Sequence, residues 1–256
     1  MASSTGIPET TLMPQQGNGE DEPLLGRAGD VAQREGKPIY YNLFIGTAVI
    51  AQAGIFLLTA SVWASVFLNP IILFSAHPLL NSAGLLVLTQ SILLLQPTHT
   101  PEQKRKGTVA HFILNNLSVD TLVAGLVVIE YNKFSHNGTH LVSAHAILGL
   151  ITYILLGIQA FVGFTAYFVP QLYGGVAQGK SLYKWHRMSG YLVLVLMLAT
   201  VAAATRTDYN KNVLDIKLWA VLISSALVLL GVVPRIKKQK LGLSGGRVKP
   251  SGAFGQ

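Results

Sequence analysis

Six apolar runs, near residues 41–66, 71–96, 109–129, 141–167, 186–205 and 216–233, leave this chain few ways to fold. Each is close to the roughly 20 residues that a helix needs to cross a hydrocarbon core of about 30 Å. Inside lipid every backbone N–H and C=O must find a partner, so a spanning segment is either a helix or a strand of a closed barrel. Barrel strands alternate apolar and polar residues, and these runs are continuous. The expected fold class is an all-α membrane protein with six transmembrane helices. Charged residues make up only 12% of the 256 positions, which agrees with that class.

The runs define a domain over 39–234. Residues 1–38 are rich in Gly, Pro, Ser and Gln and read as a disordered tail, and 235–256 read as a basic, Gly-rich one. The first 38 residues contain no apolar core, so no cleavable signal peptide is expected. Within them EDEPLLG, with Glu20 ahead of Leu24-Leu25, fits an acidic dileucine sorting signal. Pro78 falls near the start of the second run, where a first-turn proline costs a helix little.

Orientation follows from charge. The two tails and the 97–108 and 168–187 connections hold fifteen Lys and Arg, and the other connections hold four. The positive-inside rule puts both termini in the cytosol. The sequon Asn137-Gly138-Thr139 then lies on the opposite side, as glycosylation requires. The net charge of +8 therefore reports cytosolic loops and not a nucleic-acid partner.

There is no cysteine, which removes disulfides, thiolate metal sites and covalently attached c-type haem. Seven histidines remain. His99 and His136 fall in loops and read as solvated. His77, His111, His145 and His186 each lie a few residues inside a different consecutive run. Ionisable groups within a span are expensive and by default functional. Helices two and four start at the outer face, helices three and five at the cytosolic face. His77 and His145 therefore lie near the outer side, and His111 and His186 near the inner side. Two imidazoles per site is the ligand set of a b-type haem, with these four as axial ligands of two non-covalent haems. Counting depth from the helix starts separates the two sites by roughly 15 Å along the normal. One turn beyond each histidine stand Asn81, Asn115, Gly149 and Gly190, where glycine would let a flat macrocycle approach the backbone.

The segments FSAHPLLN, KRKGTVAHFILN, HLVSAHAILG and YKWHRMSGYL resemble the four histidine segments of the cytochrome b561 family. The resemblance covers 41 to about 233. His-Pro on the second span and His-x-x-x-Gly on the fourth and fifth are its most specific marks. HLVSAH is similar to the shorter, tumour-suppressor-like branch, where a histidine precedes the fourth-helix ligand by five residues. The resemblance implies a stand-alone six-helix core in which a central four-helix bundle holds two haems. It implies electron transfer from cytosolic ascorbate to monodehydroascorbate or a ferric chelate across the bilayer. It marks Lys106, five residues before His111, as a substrate contact. His140, at the outer end, reads as a contact to outer substrate or to a haem propionate. A homodimer is compatible with it. The dileucine points to an endosomal or vacuolar membrane, with the plasma membrane as the other choice.

Asp120 and Asn116 share a face of the third span turned away from His111, as expected for a helix-to-helix hydrogen bond or a proton path. Two rival functions use the same histidines. A haem-free transporter or channel would employ them as proton or metal sites, and a scaffold would only pack them.

Overall fold

The computed structural model describes residues 31–237. Among them the long helices are α1 (Ala48–Phe67), α2 (Ala76–Leu95), α3 (Pro101–Ser135), α4 (Ala144–Phe168), α6 (Tyr183–Ala204) and α7 (Leu218–Val232), with the short α5 (Val176–Ser181) leading into α6. Six helical segments are long and apolar enough to cross a membrane. This is the six-helix membrane fold that the runs predicted. Pro78 stands in the first turn of α2, where its missing N–H has no intrahelical role.

The main difference is α3, which begins at Pro101 and not near 109. Local chemistry explains the extra turns. Thr100 Oγ1 accepts the Gln103 N–H at 3.2 Å, and the Gln103 side chain reaches back to the Thr100 N–H at 3.5 Å. Pro101 opens the helix and Glu102 sits in its positive first turn. Lys104, Arg105 and Lys106 are therefore helical residues. A helix of 35 residues is about 52 Å long, well beyond the hydrocarbon core, so α3 projects past it.

The helices pack as three antiparallel pairs, α2 with α3, α4 with α6, and α1 with α7. In the last pair backbone meets backbone. A Cβ on Gly54 would lie 2.6 Å from the Ser224 carbonyl and 2.7 Å from the Val228 nitrogen, and Gly231 lies equally tight on Ala51. Small residues let backbones approach where lipid supplies no hydrophobic drive between helices. Ile55, Leu58, Leu85, Leu93 and Val228 fill the core around this pair and α2.

Where the second, third and seventh helices approach the basic end, side chains satisfy carbonyls that a helix terminus leaves without partners. Arg235 Nη2 donates to Leu93 O at 3.1 Å and to Asn42 O at 2.9 Å. Asn42 Nδ2 donates to Leu94 O at 2.8 Å, and Gln96 Nε2 to Val232 O at 3.1 Å. Arg235 is buried, and its charge also suits the negative ends of α2 and α7. The chain is docked here from Gln33, whose N–H donates to Pro97 O at 2.9 Å. The same packing overturns one expectation. His99 is buried in the α2–α3 connection and not solvated, because the α3 cap folds that connection back onto α2. The dileucine lies outside the described residues.

Gly54→Val should overpack the α1/α7 contact and cost about 1–3 kcal/mol. A lower midpoint of thermal unfolding in detergent would register it, and an unchanged midpoint would contradict the close approach.

Candidate functional site

Three of the four span histidines share one hydrogen-bonding rule. His77 Nδ1 lies 2.9 Å from Gly125 O, and His145 Nδ1 lies 2.9 Å from Thr200 O. A carbonyl oxygen can only accept, so both Nδ1 atoms carry the proton and both Nε2 atoms keep a lone pair. His111 Nδ1 lies 2.8 Å from Ser91 Oγ and 3.3 Å from Ser91 O. The Ser91 hydroxyl donates to His111 O at 3.2 Å, leaving its oxygen free to accept from the ring. Asn115 Nδ2 donates to His111 Nε2 at 2.8 Å, which independently makes Nε2 the lone-pair nitrogen. His186 Nδ1 faces the side-chain amide of Gln159.

These partners form a pattern that sequence inspection missed. Fourteen residues separate His77 from Ser91, His111 from Gly125, His145 from Gln159 and His186 from Thr200. Fourteen residues is just under four turns, so each histidine and the acceptor beyond it share a helix face. Within α2/α3 and within α4/α6, each helix presents a histidine at one end and holds its partner's histidine at the other. The two levels are thus about 21 Å apart along the helices. This corrects the roughly 15 Å from depth counting, which relied on guessed helix starts.

The fold also pairs histidines across the bundle. His77 and His145 face each other with ring centroids 6.1 Å apart and planes at 86°. Two imidazoles on opposite sides of one metal ion, with metal–nitrogen bonds of about 2 Å, have centroids about 6 Å apart. The fourteen-residue offsets put His111 and His186 together at the other level. A Cβ at Gly149 would meet only Thr200 Cγ2, at 3.8 Å, and one at Gly190 only Gln159 Oε1, at 3.9 Å. Both strips are open to a flat ring. The donor set, the pinned tautomers and the open strips fit b-type haem. Among the described residues no three His, Cys, Asp or Glu side chains gather as a conventional metal site would need.

Tyr153 joins the halves between the two levels. Its hydroxyl reaches Asn81 Oδ1 at 2.7 Å and Leu122 O at 2.8 Å, and Asn81 Nδ2 donates to His77 O at 2.8 Å. Phe74 stacks on His77 at 5.7 Å and meets Tyr209 edge-on at 4.5 Å. No local motif flags these residues. The fourteen-residue offset from each histidine would have found Ser91, Gly125, Gln159 and Thr200.

The remaining candidates sit at the two ends. Lys106 is exposed on α3 and pairs with Glu102 at 2.7 Å. His140 lies 3.2 Å from Glu130 at the sequon end, with its ring 5.2 Å from Phe134. Asp120 and Asn116 do not bond to another helix. Asn116 donates to Phe112 O of its own helix at 2.8 Å, and Asp120 is exposed. They stand on the outward face, because α2 takes the opposite side of α3 through Ser118, Leu122 and Gly125.

Tyr153→Phe should cost about 1–3 kcal/mol, since the one hydroxyl proton that Asn81 Oδ1 and Leu122 O share is lost inside the bundle. Thermal unfolding of the variant checks this, and wild-type stability would refute the bridge.

A family model described as eukaryotic cytochrome b561 matches residues 76–210. The chain is 28% identical over 134 residues to an ascorbate-specific transmembrane electron transporter of Zea mays, covering 51% of this chain and 55% of that one. It is 25% identical over 169 residues to the human transmembrane ascorbate-dependent reductase CYB561, covering 63% of each. It is 30% identical over 103 residues to the lysosomal membrane ascorbate-dependent ferrireductase CYB561A3 of Mus musculus, covering 39% of this chain and 42% of that protein. The chain spans about half the length of the curated relatives it matches. With the match running from the first turn of α2 into the connection after α6, through all four histidines, the chain belongs to the cytochrome b561 family.

Proposed function

We propose that this protein carries single electrons across a membrane, from cytosolic ascorbate to monodehydroascorbate or ferric iron on the outer or lumenal side. The observation that carries the reading is the set of four histidines at two levels, with the Nδ1 atoms of His77, His111 and His145 held by acceptors on neighbouring helices so that their Nε2 atoms keep the lone pair. His77 and His145 would hold one non-covalent b haem at the sequon end, and His111 and His186 a second at the basic end. Each haem, when bound, supplies a reversible one-electron couple.

The chain's own residues do the rest. The Nδ1 acceptors hold the His77, His111 and His145 rings in one orientation and one tautomer. The apolar bundle keeps water away from the interior. Ascorbate is an anion near neutral pH, and Lys104, Arg105 and Lys106 concentrate positive charge on the projecting turns of α3. The Lys106–Glu102 pair is exposed, so it binds weakly and yields to an incoming anion. His140, beside Glu130, is the corresponding contact at the other end. The relatives' printed names support ascorbate as donor and ferric iron among the acceptors. The charge count supports cytosolic termini. A lysosomal relative supports an endomembrane site, endosomal or vacuolar.

Protein purified after expression with ample haem should contain two haems per chain and develop a low-spin α-band on adding ascorbate. His77→Ala and His186→Ala should each remove one. Zinc binding without a Soret band would instead favour the transporter reading. Lys106→Glu should slow reduction by ascorbate on the order of threefold or more at low salt, with the difference shrinking as salt is added. Stopped-flow absorbance measures this, and equal rates would remove Lys106 from the donor site.

A further inference from the structure

We propose that the outward face of α3, with Asp120 and Asn116 at its centre, is an interface with a second copy of this chain. The inference does not depend on the haems. It starts from the depth of Asp120. Ser118 Oγ donates to Gly84 O at 2.7 Å, and Gly84 stands near the middle of α2 (Ala76–Leu95). Asp120 is two residues beyond Ser118, about 3 Å along the helix, so its carboxyl lies close to the middle of the bilayer. Among the described residues no other Asp, Glu, Lys or Arg stands in the middle of a span.

That carboxyl is exposed, and it makes no hydrogen bond or ion pair among the described residues. An ionisable group in a span almost always faces the bundle interior or a partner. Here the interior is closed to it, since Ser118, Leu122 and Gly125 take the opposite side of α3 against α2. A short side chain cannot reach either membrane surface across about 15 Å of hydrocarbon. The rest of the face is apolar, with Ile113, Leu117, Val123 and Val127 all exposed. The outward face of α4 makes the contrast. It shows only apolar groups such as Ile147, Ile151, Ile154 and Ile158, which lipid covers without cost.

The chain itself carries the missing partner. Asn116 is one turn before Asp120 on the same face and is also exposed. One of its amide protons goes to Phe112 O at 2.8 Å, which leaves the second for another acceptor. Two copies inserted in the same direction are related by a two-fold axis along the membrane normal, so their α3 helices run parallel and equal residues meet at equal depth. Side chains of one helix then fit between residues a turn apart on the other. Asp120 of each copy reaches Asn116 of the other, and the bond is made twice. A different membrane protein would have to bring its own donor to this depth, whereas a second copy does so by symmetry. Polar groups of this kind hold helices together where lipid supplies no hydrophobic drive.

The absence of cysteine makes the test direct, because an introduced thiol can pair only with its own copy in the other chain or with a foreign protein. Full-length Leu117→Cys, Val123→Cys and Ile154→Cys, in vesicles of the expressing membrane, are oxidised with copper phenanthroline and resolved by mass. A band of twice the chain mass is expected from Leu117→Cys or Val123→Cys and not from Ile154→Cys. Adding Asp120→Leu should lower that yield about tenfold, adding Asn116→Leu should lower it several-fold, and Asp120→Asn, which can still hydrogen-bond, should keep most of it. An absorption spectrum of Asp120→Leu matching wild type shows that the loss is not unfolding. Should Asp120→Leu fail to insert, Asn116→Leu decides. No band from the α3 positions, a band from Ile154→Cys alone, a cross-link to a different protein, or a yield indifferent to Asp120 and Asn116 would each overturn the interface.

Discussion

The rest of the structure depends on one interaction, the hydrogen bond from a histidine Nδ1 on one helix to an acceptor on its antiparallel neighbour. It occurs reciprocally within α2/α3, and within α4/α6 from His145 to Thr200 O, with the Gln159 side-chain amide against His186 Nδ1 at the other end. Each pair is therefore held at both ends by bonds whose spacing must match. A slip of one residue turns a helix by about 100° and would break both bonds at once. The same bonds decide the chemistry available, because a proton on Nδ1 leaves Nε2 as the nitrogen that can meet a metal. Register and donor set are one property of the bundle.

The third pair has a different task. The first and seventh helices carry no candidate ligand and approach each other through glycine, which gives the four histidine helices a tightly packed flank. Arg235, Asn42 and Gln96 join that flank to α2 by taking carbonyls near helix ends. A buried arginine is costly in general, and here, with no carboxylate beside it among the described residues, Asn42 O and a carbonyl near the negative end of α2 meet its Nη2. The consequence reaches the site, since α2 carries both His77 and Ser91.

How much of this could be read beforehand differs from residue to residue. The six spans were legible because their signal is long and continuous. The four histidines were legible because a polar ring in each of four consecutive spans is improbable by chance, and chain direction alone places them at two levels. His99 was misread because burial of a connection depends on how the next helix is capped. Asp120 was placed correctly opposite His111, but its expected helix partner was wrong, because a helical period gives relative faces and not which face meets a neighbour. The start of α3 was missed because charge masked a good capping box.

The sequence by itself determined the class of fold, the number of spans, the candidate donor atoms and the level at which each lies. These follow from hydropathy, composition and chain direction, which are properties of single segments. Only the tertiary structure decided which neighbour holds each ring, which nitrogen keeps its proton, and that main-chain groups serve one level while side chains serve the other. Those are properties of helix pairs. A hydrogen bond across two helices depends on their relative rotation and slip to a fraction of a turn, and no single segment contains that information.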